Sequence, residues 1–151
     1  MQDRAEQTER FRVTVVIPCF NYGRYVRQAV DSALAQDDAE VRVVVVDDGS
    51  TDGQSAAACE ACRGDRVEVI CQENRGLSAA RNLGAATAQD EFLVFLDADD
   101  WMEPWFVQAL GAAVRAEDAA GRGGGLSHAY GQQRKSEMGR GAIWGGPAWG
   151  P

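Results

Sequence analysis

The chain has 151 residues, a length that points to one domain with room for a packed core. Its formal charge is −8 and unevenly spread: residues 1–120 hold 11 arginines against 22 acids, and residues 121–151 hold four bases against one acid. An acidic body argues against nucleic acid as the main partner, because phosphate backbones need basic surface; no apolar run approaches the ~18 residues of a membrane span.

The first ten residues, from Met1 to Arg10, are polar and include acids, which suits a short extension and not a signal peptide. Val13 to Ile17 is a β-branched run stopped by Pro18, a first strand. Tyr22, Val26, Ala29, Val30, Ala33 and Leu34 then recur at helical spacing. Val41 to Val46 is apolar on both faces apart from Arg42, as a central parallel strand should be. Asp52 can cap a helix running through Ala61. Val67 to Cys71 reads as a third strand, and Leu77 to Ala88 as an alanine-rich third helix. Glu91 to Leu96 is a fourth strand, and Pro104 sits near the first turn of a fourth helix reaching about Ala116. After Gly121 the periodicity stops: ten of the seventeen glycines lie in residues 121–151, which read as a low-complexity, disordered tail.

Strand and helix alternate throughout residues 11–118, which predicts an α/β fold: a mostly parallel, Rossmann-like sheet with helices on both faces. Ligands bind such sheets beyond the carboxyl ends of the strands, where the winding reverses. The unusual residues fall at that rim. Pro18-Cys-Phe-Asn21 follows strand one, Asp47-Asp48-Gly49-Ser50 strand two, Asn74-Arg75-Gly76 strand three, and Asp97-Ala-Asp99 strand four. Two carboxylates about 4 Å apart repel by roughly 4 kcal/mol at an effective dielectric near 20. A divalent cation removes that penalty, and hard oxygen ligands suit Mg²⁺ or Mn²⁺.

Other metal and nucleotide patterns fit less well. An EF-hand loop starting at Asp97 would need glycine and glutamate where Met102 and Gln108 stand. There is no Gly-x-x-x-x-Gly-Lys-Ser/Thr, and strand one leads into Pro-Cys-Phe-Asn, not Gly-x-Gly-x-x-Gly. Cys59-x-x-Cys62 has no second ligand pair. With Cys19 and Cys71 it reads as reduced, partly buried thiol chemistry, which places the protein in the cytoplasm.

Four blocks together resemble the family 2 glycosyltransferases: Val15-Val-Ile-Pro-Cys-Phe-Asn-Tyr22, Val46-Asp-Asp-Gly-Ser-Thr-Asp52, Asn74-Arg-Gly-Leu-Ser-Ala-Ala-Arg-Asn-Leu-Gly84 and Phe95-Leu-Asp-Ala-Asp-Asp-Trp101. They occur in order, across about residues 11–118. The resemblance implies a GT-A fold, a nucleotide-diphosphate sugar as donor (a UDP-sugar first of all) and inverting transfer to an acceptor hydroxyl. By the same resemblance Pro18, Phe20 and Asn21 lie against base and ribose. Asp48, with Asp47 alongside, accepts a hydrogen bond from the base edge, against a plainer reading as a helix cap with Ser50 and Thr51. Arg75 reaches the base or diphosphate, against a surface salt bridge, whereas Arg81 reads as structural or exposed. Asp97-Ala-Asp99 is similar to the DxD motif, with Asp99 on Mn²⁺ or Mg²⁺ and Asp97 on the ribose, a metal-bound water or the metal itself. The location implied is cytoplasmic or peripheral at the inner face of the membrane.

One part of the resemblance is missing. Inversion needs a carboxylate base for the acceptor hydroxyl. The family draws it from the half that follows the DxD motif, and nothing after residue 118 matches that half. No catalytic base is assigned, and Glu137 has no patterned element to hold it. The alternative is therefore a truncated, non-catalytic nucleotide-sugar-binding fragment, with a tail that could be out-of-frame translation.

Overall fold

The structure, a computed structural model, describes residues 10–90 and 92–119. The expectations for the N-terminal extension and for the glycine-rich tail fall almost wholly outside the described residues. The elements run β1 (Phe11–Cys19), α1 (Gly23–Leu34), β2 (Ala39–Asp47), α2 (Ser55–Glu60), β3 (Val67–Cys71), α3 (Leu77–Thr87), β4 (Phe92–Phe95) and α4 (Phe106–Ala119). All eight correspond to elements read from periodicity. The differences lie at the ends: β1 and β2 are nine residues each, longer than their apolar runs.

The four strands form one sheet in the order β3-β2-β1-β4, and every pairing is parallel. Valine makes this sheet. Val13, Val15 and Ile17 on β1 and Val41, Val43 and Val45 on β2 turn to one face, where Val26 and Val30 of α1, Cys59 of α2 and Val107 and Leu110 of α4 cover them. Val16, Val44, Val46 and Leu93 turn to the other face, under Ala80 and Ala85 of α3. The central strands are apolar on both sides because both sides are covered.

Helix α3 lies close because it is built of small residues. A Cβ placed on Gly84 would run into the Val16 side chain, which is fully buried. Helix α4 is anchored by Gln36, whose Oε1 accepts the Val107 N–H at 2.9 Å and whose Nε2 donates to the Glu103 carbonyl at 2.9 Å. At the outer edge of β3, Arg63 donates to the Val69 carbonyl at 2.9 Å while Glu60 holds its Nε at 2.6 Å. That guanidinium blunts an otherwise open strand edge.

Candidate functional site

The winding of the sheet reverses between β1 and β4, so the crevice expected of such a fold should open at their carboxyl ends. A cleft of about 530 Å³ is found there, lined by Pro18, Phe20, Tyr22, Asp48, Asn74, Gly76, Leu77, Ala80, Asp97 and Asp99 among others. It gathers residues that follow all four strands. Its walls divide by chemistry: Phe20, Tyr22 and Leu77 expose apolar surface, and Asp97 and Asp99 stand exposed at the mouth.

Asp48 sits at the meeting point of two loops and is only 3% exposed. Its Oδ1 accepts from Gln72 Nε2 at 2.6 Å and from the Arg75 N–H at 2.9 Å; its Oδ2 accepts from the Gly76 N–H at 2.9 Å. The β3–α3 loop is thus wrapped around a single carboxylate, that of the residue directly after β2. Oδ2 keeps a lone pair for a further donor. The approach of the two loops requires Gly49, which has φ +69°; a Cβ there would lie 2.6 Å from the Asn74 nitrogen.

Asp47 takes the local turn instead. Its Oδ1 accepts from the Ser50 hydroxyl at 2.6 Å and the Ser50 N–H at 3.2 Å, so Asp47, not Asp48, bonds Ser50, and neither caps α2, which begins at Ser55. Asn21 adopts φ 60°, a left-handed conformation that asparagine tolerates. Its Oδ1 accepts the Thr51 N–H at 2.8 Å and the Asp52 N–H at 3.2 Å, and its own N–H donates to Ser50 Oγ at 3.0 Å. Asn21 therefore ties the β1–α1 loop to the β2–α2 loop and is not among the cleft-lining residues. Asp52 continues the network: its carboxylate accepts from the Gln54 and Ser55 N–H groups and the Ser55 hydroxyl, which hold it below the usual carboxylate range. Ser55 Oγ in turn accepts the Gly23 N–H at 2.7 Å, which joins the starts of α1 and α2.

Arg75 places its backbone, not its guanidinium, in these bonds; the side chain is exposed and makes no ion pair among the described residues. Arg81, read as structural or exposed, proves to be the cation of the rim. Its Nη2 lies 2.7 Å from Asp97 Oδ1, its guanidinium stands 5.8 Å from the centre of the Phe95 ring, and its buried Nε has no partner among the described residues. The signal for it was helical spacing: Arg81 lies one turn on from Leu77 and next to Ala80, which line the cleft, although Arg81 itself is not among the lining residues. Gln72 was also missed, since only the tertiary approach of β2 and β3 shows that it meets Asp48. Trp101 and Trp105 are 60% and 57% exposed.

The four cysteines are free; Cys19, Cys59 and Cys62 are buried. Cys19 and Cys59 share a hydrogen bond that lowers the Cys19 pKa and raises that of Cys59, with burial raising Cys59 further. No cluster of three or more His, Cys, Asp or Glu side chains able to hold a metal exists among the described residues. Nor, among them, is any helix long and apolar enough to cross a membrane.

Residues 14–144 match Glycosyl transferase family 2, and the chain belongs to that family. It is 40% identical over 100 residues to the glycosyltransferase GlyA of Streptococcus pneumoniae, a match covering 66% of this chain and 14% of GlyA. Among solved structures it resembles S. aureus TarS 1–349 in complex with UDP-GlcNAc, with a TM-score of 0.63 and 29% identity over 72% of this chain and 32% of that one. The mannosyltransferase PcManGT of Pyrobaculum calidifontis, in complex with GDP-Man and Mn²⁺, matches with a TM-score of 0.56 and 33% identity over 62% of this chain and 29% of that one. The fold is thus that of GT-A enzymes, and the chain spans a third or less of the length of these relatives.

Proposed function

We propose that the cleft is the donor site of a metal-dependent glycosyltransferase, binding a nucleotide-diphosphate sugar, with a UDP-sugar as the first expectation, for inverting transfer to an acceptor hydroxyl. The observation that carries this reading is that Asp48, Asp97 and Asp99 line one cleft together with Pro18 and Phe20. TarS in complex with UDP-GlcNAc and PcManGT in complex with GDP-Man and Mn²⁺ support the ligand class.

Phe20, 39% exposed, offers a stacking face for the base, with Pro18 and Asn21 shaping its surroundings. Asp48 accepts a base N–H through the remaining lone pair of Oδ2, and the loop that Asp48 organises presents Asn74 and Arg75 to the ligand; Asp47 keeps the neighbouring turn in place. Asp97 and Asp99 fit a hard divalent ion, Mn²⁺ or Mg²⁺. Such ions use one or two carboxylates and fill the remaining positions with phosphate oxygens and water. When bound, the ion supplies Lewis-acid stabilisation of the departing diphosphate. The chain's own part is to hold Asp99 open to the mouth and Asp97 beside it. Four free thiols support a reducing, cytoplasmic setting, with peripheral placement at the membrane's inner face a further expectation.

A second reading has its own support. Among the described residues the carboxylates lining the cleft are Asp48, Asp97 and Asp99, and the reading above gives all three to the donor. Without a base for the acceptor, this chain would bind the donor and turn nothing over. Thermal-shift titration with UDP, UDP-GlcNAc and GDP-mannose, with Mn²⁺ or with a chelator, tests the shared claim. Stabilisation by a nucleotide with Mn²⁺, lost on Asp99→Ala, is expected. Stabilisation indifferent to chelator would remove the metal from the reading, and no response to any nucleotide would remove the donor site. Product formation with a hydroxyl acceptor separates transferase from binding module.

A further inference from the structure

We propose that Arg81 is a positioning residue that withholds Asp97 from a divalent cation until an anionic ligand competes for its guanidinium. The inference rests on the donor-site reading above. Asp97 and Asp99 are two residues apart at the same rim, yet their surroundings differ. Asp97 Oδ1 is engaged by Arg81 Nη2 at 2.7 Å. Asp99 has no hydrogen bond or ion pair among the described residues. In this state Arg81 competes with a cation for Asp97, which keeps only Oδ2 unengaged, while neither oxygen of Asp99 is engaged among the described residues.

Arg81 is held for this task and little else. It rises from α3 one turn on from Leu77, and its guanidinium is oriented by Asp97 and the Phe95 ring. Its Nε is buried without a partner among the described residues, so the pair with Asp97 is the polar contact that directs it. The pair is also exchangeable. Its side chains are 27% and 48% exposed, and ion pairs at that level of exposure are weak. A diphosphate offers the guanidinium a better-matched anion. Once it does, Asp97 is released beside Asp99. Cation binding would then be coupled to nucleotide binding.

The test is Mn²⁺ titration of the full chain by electron paramagnetic resonance, without nucleotide and with UDP. Line broadening in ¹⁷O-water counts the waters left on the ion. Without nucleotide, Arg81→Gln is expected to bind Mn²⁺ about tenfold tighter than the unaltered chain, the scale of losing one close opposite charge. Its bound ion should carry one water fewer, because Asp97 replaces it. If Arg81→Gln fails to fold, Arg81→Met keeps the aliphatic stem against Phe95 and serves instead. Unchanged affinity would overturn the proposal. So would tighter binding with an unchanged water count, which would mean that only net charge had changed. The UDP arm tests the coupling and the donor reading: a chain whose Mn²⁺ affinity ignores UDP would sink both, while the nucleotide-free comparison still decides whether Arg81 competes for Asp97.

Discussion

Replacing Asp48 by asparagine is the sharpest test of how the cleft is built. The carboxylate receives three donors, two on Oδ1 and one on Oδ2. An asparagine amide has one acceptor and one donor end. Turned to satisfy Gln72 and Arg75, it points its NH₂ at the Gly76 N–H; turned the other way, it meets two donors. The first arrangement is cheaper and loses one bond to a charged group, worth roughly 1.5–3 kcal/mol. The remaining two bonds weaken as the charge disappears, since neutral bonds are about half as strong. At 3% exposure, water does little to replace what is lost at the carboxylate itself. The expected total is about 3 kcal/mol, a large share of the 5–15 kcal/mol that holds a typical domain together. For a domain of this size that lowers Tm by roughly 10 °C. Circular dichroism melting measures it. A Tm within about 1 °C of the unaltered chain would refute the account of Asp48 as the organiser of the β3–α3 loop.

Other expectations follow from the packing and the thiols. Gly84→Ala drives a methyl into Val16 and should cost about 1–3 kcal/mol by urea unfolding; a neutral result would mean that α3 can lift from the sheet freely. Asp52 has its pKa lowered by the Ser55 hydroxyl and the Ser55 and Gln54 N–H groups, so its contribution is present above the unfolded carboxyl pKa of about 3.9 and is lost as pH falls through the lower folded value. Stability measured from pH 6 to pH 2 should therefore fall more steeply for the unaltered chain than for Asp52→Asn, and parallel curves would count against the cap. In native chain, a disulfide reagent should modify Cys71 first, and slowly, because burial and acidic neighbours raise its pKa; Cys19, Cys59 and Cys62 should react on unfolding. Fast labelling of more than one thiol would show that the core opens more readily than its packing implies.

The site was legible to different depths at different residues. Asp97 and Asp99 stood out because an apolar strand that ends in acids is anomalous, and the structure puts both at the cleft. Asp48 was singled out as well, but its partners are Gln72 and the Arg75 and Gly76 amides, 24 to 28 positions further on, and nothing in local pattern marks such a distant set. Asp47 and Asn21 were grouped with the ligand-facing residues, and the structure engages both in the loops that frame the cleft. Helix α2 runs Ser55–Glu60, short of the expected end at Ala61, and the Asp52 carboxylate accepts the N–H of its first residue, Ser55.

Periodicity alone determined which segments are strands and helices, that the sheet is parallel, and that the polar rim lies at its carboxyl end. These follow from local spacing and from the chirality of strand–helix–strand connections, which each segment carries within itself. Only the tertiary structure decided the strand order, the seat of the cleft between β1 and β4, and the partners of the rim charges. Whether Arg81 is a surface charge or the counter-ion of Asp97 depends on a 2.7 Å contact between α3 and the end of β4. Such contacts are set by how the layers pack, and one residue's neighbours in sequence do not encode them.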